Sequence, residues 1–495
     1  MHHLYNKPLP VTILPPPKGT AHQTARVALL LFGGISLIYL AFLKPLTWSS
    51  DGNEVLQVAR SLVLYQNISV PPVSEGLAGV GGEHYSIRYP LLPVVITPLV
   101  AVGLSLSHWL NLPEIPVISA CGMVSSVVFT AATAALVFLL AVRLGGSKSG
   151  AYIAALSFAF GTIALAYAQT LFAEPLLALI TIASVYLAMG CTQTAWGAAI
   201  LLGCLAILAK PPGVVVAPIL SSYWALKRRS LFVVLAPLLA LGLGILLYLG
   251  YNYLRFGDPW TTGQPVSGAL GLVGMPKRLW GMLFSPGRGG GLLWYCPPIA
   301  LAVVGGYKAM RSKPVEVLAL VGICAAYLGL YSLWAGAGWD WGPRFLVPTV
   351  PLLMALTGLI GPRDRAGLIA LSVIGFLINA PTLVSFYERY YWELLALGSQ
   401  APYTGIWGPI SHAPIFHAWG AALRQINDAL SSSPQVLLTA ADGDVPVAMQ
   451  IVTTWWWVLP AVGLPLWLGG LGAGLMIAAG IVMLRQGLLT TYKYK

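Results

Sequence analysis

Thirteen apolar runs of near-spanning length, joined by short polar stretches, leave this chain little choice of solvent. They occupy 27–46, 90–110, 115–142, 149–168, 171–190, 195–209, 213–226, 231–254, 291–307, 315–334, 343–361, 366–386 and 455–484. A helix of about 20 apolar residues crosses the hydrocarbon core of a bilayer. Only 8% of the residues are Asp, Glu, Lys or Arg, against roughly 25% in soluble domains. A water-soluble globule would have nothing polar enough to cover its surface. An ordinary soluble enzyme, a disordered chain and a nucleic-acid module are therefore excluded. No succession of alternating ten-residue segments occurs, so the membrane part is helical rather than a barrel. The expected fold is an all-α polytopic membrane protein with about 11–13 transmembrane helices.

The net charge of +12 would suggest nucleic acid in a soluble protein. Here it is first a matter of topology, because cytoplasmic loops are enriched in Lys and Arg, and no nucleic-acid partner is expected. Residues 1–25 are polar and proline-rich and read as a disordered cytoplasmic tail. The run 27–46 lacks a small-residue cleavage site and reads as a span, not a signal peptide. Lys493 and Lys495, Arg363 and Arg365, Lys308, Arg311 and Lys313, and Lys227 to Arg229 mark cytoplasmic ends. The loops 47–88, 255–290 and 387–454 then fall outside, with a core over 26–386, a last span over 455–484 and a tail over 485–495. Arg143 and Lys148 fall inside. With the N-terminus also inside, an odd number of crossings must separate Asp51 from Arg143, yet two apolar runs lie between. Either one is re-entrant or 90–142 makes three short passes.

Segment 51–66 (DGNEVLQVARSLVLYQ) has Val55, Leu56, Ala59, Leu62 and Val63 near helical spacing. It reads as an amphipathic helix on the outer membrane surface, and 273–284 as a candidate second one. Cys121, Cys191, Cys204, Cys296 and Cys324 sit in apolar stretches without metal-ligand spacing and read as packing residues.

Few side chains can do chemistry. Asp51 follows the first run directly, and Glu54 lies three residues on, on the same side of a short helix. A carboxylate near an apolar boundary can act as a general base. Locally, though, Ser49, Ser50 and Asp51 also read as helix caps. Glu174 opens an uncharged apolar run, where ionisable groups are costly and point to function or to interface placement. Asp340 lies between Trp339 and Trp341, four residues before Arg344, a spacing that also suits a plain ion pair. Arg88, Lys210, Arg255, Lys277, Arg278, Arg288 and Arg344 all fall outside, against the topological rule. Several sit beside Gly or Pro. Glycine permits close backbone approach and the guanidinium fork suits phosphate oxygens, so the group reads as a site for an anionic lipid headgroup.

Taken in order, HYSIRYPLLPVVITPLVAVG, QTLFAEPLLAL, LAKPPG, YNYLRFGDPWTTG, LFSPGRGGGLLWYCPP and WDWGPRFLVPTVPLL follow an acid after the first span and a surface helix. Together they resemble the GT-C superfamily of integral membrane glycosyltransferases, in particular the polyprenyl-phosphate-dependent branch related to aminoarabinose transferases and protein mannosyltransferases. The resemblance covers most of 26–386. It implies a sugar donor on a polyprenyl phosphate, used on the extracytoplasmic face of a prokaryotic inner membrane. It implies Asp51 as catalytic base and Glu174 as a second acid, with Glu54 beside them. Donor-phosphate contacts would fall to Lys210, Arg288, Arg344 and Arg88. Tyr85, Tyr89, Arg255, Trp339, Asp340 and Trp341 would line the substrate site.

Relatives often carry two adjacent acids in the first loop, whereas Asp51 is followed by Gly52 and Asn53. That leaves open whether a divalent cation (Mg or Mn) takes part, for which Asp51 and Glu174 would be the oxygen ligands. Many relatives also have a C-terminal extracytoplasmic domain not seen here, so the acceptor (glycan, lipid or protein) and the need for a partner subunit stay open. The expected reaction is inverting transfer through an oxocarbenium-like transition state. A lipid flippase and a non-catalytic scaffold subunit that binds lipid or a partner remain as alternatives. No internal repeat or charged midplane site favours a transporter.

Overall fold

The computed structural model describes residues 18–47, 49–72, 76–190, 192–228, 231–264, 270–334, 338–399, 405–433, 435–439 and 445–492. It is almost wholly helical, with one two-stranded sheet, Leu77–Ala78 against His84–Tyr85. The principal helices are α1 (Lys18–Ala41), α2 (Ser50–Leu64), α3 (Leu91–Leu110), α4 (Glu114–Arg143), α5 (Lys148–Gly161), α6 (Ala173–Ala188), α7 (Gln193–Ala209) and α8 (Val216–Arg228). They continue with α9 (Leu231–Phe256), α10 (Met275–Phe284), α11 (Ala302–Met310), α12 (Pro314–Ser332), α13 (Val350–Thr357), α14 (Arg365–Asn379), α15 (Glu388–Ala396), α16 (Pro414–Ser431) and α17 (Leu466–Tyr492). Among the described residues, seven helical segments are long and apolar enough to cross a membrane: 21–41, 91–110, 114–143, 231–256, 314–332, 362–384 and 466–492. Shorter apolar helices cover 173–188, 193–209 and 344–357. Each expected apolar run contains helix. The shorter ones start in 3-10 turns at prolines, as at Pro211–Val215 and Pro297–Leu301, because proline lacks the N–H that would extend a helix backwards.

Glycine lets these helices pack backbone to backbone. A Cβ on Gly480 of α17 would lie 2.7 Å from the carbonyl oxygen of Gly34 in α1. One on Gly375 of α14 would lie 2.1 Å from that of Gly161 in α5, and one on Gly305 of α11 1.9 Å from that of Leu356 in α13. Small residues at helix crossings are the usual means of association where lipid removes the hydrophobic driving force. The C-terminal end of α1 is finished by the indole N–H groups of Trp455 and Trp456, which donate to Leu40 and Ala41 carbonyls at 2.9 and 3.2 Å. These are carbonyls that a helix end otherwise leaves without partners.

Charge separates the two ends of the bundle. At one end Lys148 donates to Gln23, Arg365 to Ser147 and Ser149, and Lys313 to the Arg143 carbonyl. Lys308 pairs there with Asp364 and Lys227 with Glu316. The other end carries α2, the small sheet, α10, α15 and α16. In α15 and α16, Arg389 bridges Glu393 and Asp428, and Arg424 also holds Glu393.

α2 forms as expected. The Ser49 hydroxyl accepts from the Gly52 N–H at 3.1 Å, and Val55, Leu56 and Ala59 are buried. α10 covers the second expected amphipathic segment. α3 packs against α2. It begins beside the Arg88–Asp51 pair, and the helix after it begins at Glu114, which pairs with Arg60 of α2. Both ends of α3 are thus tied to α2, and Leu56 and Ile96 both approach Gly122. α4 then runs from Glu114, at this end, to Arg143. The stretch 90–142 forms two long helices, α3 and α4, rather than three short passes.

Three boundaries differ from expectation. Residues 18–25, expected in the tail, belong to α1, where Gln23 donates to the Thr490 carbonyl at 3.0 Å; the rest of that tail, 1–17, lies outside the described residues. The last span runs over 466–492 rather than 455–484, because Gly463 adopts a left-handed conformation (φ +79°) and ends a 3-10 turn over Trp455–Val462. Helix therefore continues to Tyr492, through most of the expected C-terminal tail.

The Gly375→Ala variant should lose about 1–3 kcal/mol of stability, the usual cost of overpacking, read as a lower thermal unfolding midpoint in detergent. Gly250→Ala in α9, where nothing lies within 4 Å of an added Cβ, should leave the midpoint unchanged or raise it.

Candidate active site

The site forms where five breaks in regular structure meet at the end opposite the basic one. Because Ser49 takes the capping role, the Asp51 carboxylate is left to face inward from the first turn of α2. Arg88 and Tyr89 precede Pro90, where α3 begins. Glu174 lies in the first turn of α6. Lys210 takes an extended conformation (φ −165°, ψ 133°) as α7 stops before Pro211 and Pro212, as expected of a residue preceding proline. Arg344 opens a 3-10 turn behind Gly342, which has φ +63° and would bring a Cβ within 2.7 Å of the Tyr295 ring. Only glycine satisfies both conditions.

Arg344 joins these pieces. Its Nη1 lies 3.2 Å from Asp51 Oδ2, and its Nε lies 3.1 Å from Asp340 Oδ1 and 3.4 Å from Glu174 Oε1. Asp51 Oδ1 is held by Arg88 at 2.8 Å, and Glu174 Oε1 by Lys210 at 2.5 Å. The rings of Phe172 and Phe345 lie 4.4 and 5.1 Å from the Arg344 guanidinium, and Lys210 stands 4.5 Å over Phe345. Three cations face three carboxylates. Asp51 is the most open of the acids at 27% side-chain exposure, whereas Glu174 and Asp340 keep 2% and 3%. Burial pushes the Asp51 carboxyl up, but Arg344, Arg88 and Lys210 outweigh it and hold it below the usual range. At Asp340 burial prevails over Arg344, helped by the charges of Glu174 and Asp51, and the carboxyl is raised.

Two cavities meet at this cluster. The larger, about 610 Å³, holds Asp51, Arg88, Tyr89, Glu174, Lys210 and Arg344 at its polar part, and its remaining walls are largely apolar, among them Val55, Leu92, Leu171, Phe172, Leu270 and Leu330. The smaller, about 340 Å³, carries Lys277, Arg278, Arg288 and Asp340. Tyr331, Trp334, Arg344 and Phe345 line both and form the wall between them.

The expected phosphate contacts therefore divide. Arg88, Lys210 and Arg344 come together, whereas Arg288 lies across the wall in the smaller cavity. Of the expected substrate-lining residues, Tyr89 and Asp340 line cavities. Trp341 does not: it is 1% exposed and donates to Asn379 in the core. Arg255 is also 1% exposed and is spent on the Ser86 carbonyl and Asn252. Tyr85 packs on Phe256, and Trp339 stacks on Tyr391. Arg278 is likewise structural, donating to the Gly271, Val273 and Ser332 carbonyls. Glu54 is buried behind α2, where neither carboxylate oxygen finds a hydrogen-bond partner among the described residues. Phe172, Tyr331 and Phe345 were not anticipated, because an aromatic within an apolar run looks the same whether it faces lipid, core or cavity.

The acids do not fit a divalent cation at Asp51 and Glu174. Both Asp51 oxygens and Glu174 Oε1 already face side-chain cations, which would repel a metal ion. Among the described residues no three His, Cys, Asp or Glu side chains gather as a metal site.

Neither a protein-family model nor a curated protein sequence matches the chain. Solved structures do. The chain is similar to ArnT from Cupriavidus metallidurans bound to undecaprenyl phosphate, at 15% identity and a TM-score of 0.46, over 95% of this chain and 78% of that one. It is also similar to the Archaeoglobus fulgidus oligosaccharyltransferase tethered with an acceptor peptide, at 14% identity and a TM-score of 0.44, over 79% of this chain and 55% of that one.

Removing one member of a buried ion-pair group leaves the others uncompensated and costs about 3–5 kcal/mol. Arg344→Ala should therefore lower the thermal midpoint sharply. Adding Asp340→Asn should recover part of the loss, because one of the stranded charges is then gone. Equal midpoints for Arg344→Ala and the wild type would contradict the central role given to this residue.

Proposed function

We propose that the protein is a membrane glycosyltransferase of the GT-C kind that takes a sugar from a polyprenyl-phosphate donor and passes it to a hydroxyl acceptor. The observation that carries this reading is the convergence of Arg88, Lys210 and Arg344 on one part of a 610 Å³ cavity whose other walls are largely apolar. That combination suits an amphiphile with an anionic head and a hydrocarbon tail. Two guanidinium groups and an ammonium can meet the several oxygens of a phosphate with charge-assisted hydrogen bonds. A flippase would need a polar path between the two ends of the bundle, whereas here the apolar runs that join the two charged ends contain almost no charge. The second cavity, in contact across Arg344, supports a reaction between two ligands.

In this reading the donor phosphate exchanges contacts with the carboxylates that hold the three cations in the resting site. As the sugar leaves, negative charge grows on the phosphate, and groups already oriented toward it stabilise the transition state without reorganising. The acceptor approaches from the smaller cavity, on the opposite side from the leaving phosphate, which gives inversion. Its hydroxyl loses a proton to an aspartate: Asp51 on the large cavity or Asp340 on the small one. The aromatic wall of Tyr331, Trp334 and Phe345 limits the water that could compete. Because basic residues mark the cytoplasmic face, the site belongs in this reading to the extracytoplasmic face, and the family resemblance implies a prokaryotic inner membrane.

The test is binding of undecaprenyl phosphate to the purified protein, followed by native mass spectrometry or quenching of Trp334. A hydrogen bond to a charged group is worth about 1.5–3 kcal/mol, so Lys210→Ala should weaken binding by about 10–100-fold. Arg288→Ala should change it less than threefold. Undiminished binding in Lys210→Ala, or no saturable binding in the wild type, would refute the donor site.

A further inference from the structure

We infer that α16 is seated in the bilayer surface at the end of the bundle that carries the site, with the acyl chains of that leaflet covering its outward apolar stripe.

The stripe has a strict spacing. Phe416, Trp419, Leu423, Ile426 and Leu430 follow one another at intervals of three and four residues. At 100° per residue they lie within about 80° of one another around the helix. Phe416, Trp419, Leu423 and Leu430 are exposed, and Ile426 is half-buried. Ala418, Ala421, Ala422, Gln425 and Ala429 fill the opposite side and are buried. His417, Arg424, Asn427 and Asp428 occupy one flank between the two. There Arg424 pairs with Glu393 and Asp428 with Arg389 of α15. One helix thus presents three surfaces: small residues to the protein, a charged flank, and an exposed apolar stripe. An amphipathic helix of this kind lies in a membrane surface.

Its height along the bundle identifies what covers the stripe. The Trp419 indole donates to the Leu377 carbonyl of α14 at 3.0 Å. Leu377 lies twelve residues beyond Arg365, where α14 starts at the basic end, and so stands about 18 Å along that helix. The hydrocarbon core is about 30 Å thick and excludes the charges of Arg363, Asp364 and Arg365. The indole is therefore within hydrocarbon, and any tilt of α14 sets it deeper. A helix with its side chains has a radius of about 5–6 Å. The axis of α16 then stands at about 24 Å, which lets its charged flank reach the boundary at about 30 Å.

The surroundings are continuous with a lipid-facing surface. Ile369, Val373, Ile374 and Leu377 of α14 are exposed below the stripe. At its other end the stripe runs into an aromatic row. Phe416 meets Trp294 edge-on at 6.2 Å, the Trp294 indole donates to the Phe284 carbonyl at 2.9 Å, and Phe284 stacks on Trp280 at 5.3 Å. All four rings are exposed, and aromatic side chains gather where a membrane meets water. A protein occupant would need more area. Stable interfaces use roughly 20–30 residues a side, whereas stripe and row together offer eight side chains. The stretch leading into α16 carries Ile406 and Trp407, which line the smaller cavity, and the Trp407 indole donates to the Lys277 carbonyl at 2.8 Å. Seating α16 in lipid therefore anchors one rim of that cavity at the membrane surface.

The test is spin labelling of the full chain in vesicles of phosphatidylcholine and phosphatidylglycerol, at Leu423→Cys and Asn427→Cys, with the signal of the unsubstituted protein subtracted. At 423 the nitroxide should collide more often with dissolved oxygen, which enters the acyl chains, than with a water-soluble nickel chelate. At 427 the order should reverse. Both side chains are exposed, and an unchanged thermal midpoint shows that each variant is folded. Leu430→Cys, seven residues further along the stripe, replaces Leu423→Cys where that midpoint falls. A nitroxide at 423 that meets the chelate more often than oxygen puts the stripe in water and overturns the assignment. One shielded from both reagents has protein over it, a second copy of the chain where neighbouring nitroxides broaden the spectrum, and overturns it equally. Oxygen in excess at both positions sinks the whole helix into hydrocarbon and contradicts a seat at the boundary.

Discussion

The Arg344 guanidinium is the interaction on which the site depends. It has little access to solvent, 10% of its side chain remaining exposed, and it faces acids from three separate parts of the chain: Asp51 of α2, Glu174 of α6 and its own neighbour Asp340. Arg88 and Lys210 complete the group with a cation for each of two of these acids. Charges this far from water are tolerated only when geometry satisfies nearly all of them. The cluster therefore fixes the relative positions of α2, α6 and the 340–345 segment more strictly than apolar packing could. A lysine in place of Arg344 would lack the rigid fork that lets one side chain reach acids on different sides.

The arrangement of long helices follows from a different constraint. In lipid, apolar side chains gain little by leaving one another's company, so close approach at glycine decides which helices pair. Gly34 with Gly480 joins the first and last helices, Gly161 with Gly375 joins α5 to α14, and Gly305 admits the Leu356 carbonyl. Along the bundle, basic side chains at one end serve each other's helix ends and loops through neutral acceptors such as Gln23, Ser147 and the Arg143 carbonyl. At the other end the carboxylates gather. That polarity makes the two ends chemically different.

Helical class, the surface helix α2 and the identities of Arg88, Lys210 and Arg344 were legible in the sequence. The three cations share a signal: a basic residue within two positions of a proline that stops or starts a helix (Pro90, Pro211, Pro343). Arg255 and Arg278 carry a similar signal and are structural. Their acceptors are mostly backbone carbonyls of loops brought near by folding, and no residue pattern records those. Arg288 was grouped with Lys210 because both are basic residues expected on the same side; the wall of Tyr331, Trp334 and Phe345 that divides them is made by tertiary packing. α3 reads as a span because it is apolar throughout. The ties from Asp51 to Arg88 and from Arg60 to Glu114 set its ends beside α2, and each tie joins residues far apart in sequence. Asp340 was visible as an acid between tryptophans. Its difference from Asp51 depends on which oxygens are taken, a property of side-chain geometry alone.

Equal numbers of cations and carboxylates at the cluster also bear on how tightly a ligand can be held. A phosphate entering the large cavity does not meet bare cations; it must displace Asp51 and Glu174 from contacts of 2.5–3.2 Å. Much of its attraction to Arg88, Lys210 and Arg344 is spent in that exchange, so the ground-state phosphodiester gains modestly. In the proposed transfer the leaving phosphate, with more charge than the diester, competes better for the same donors. Interactions that strengthen as charge develops accelerate a reaction, whereas those equally strong at the start only tighten substrate binding. A site that neutralises itself when empty thus directs its electrostatic effect toward the transition state, and it also spares three buried cations the cost of standing unpaired between turnovers.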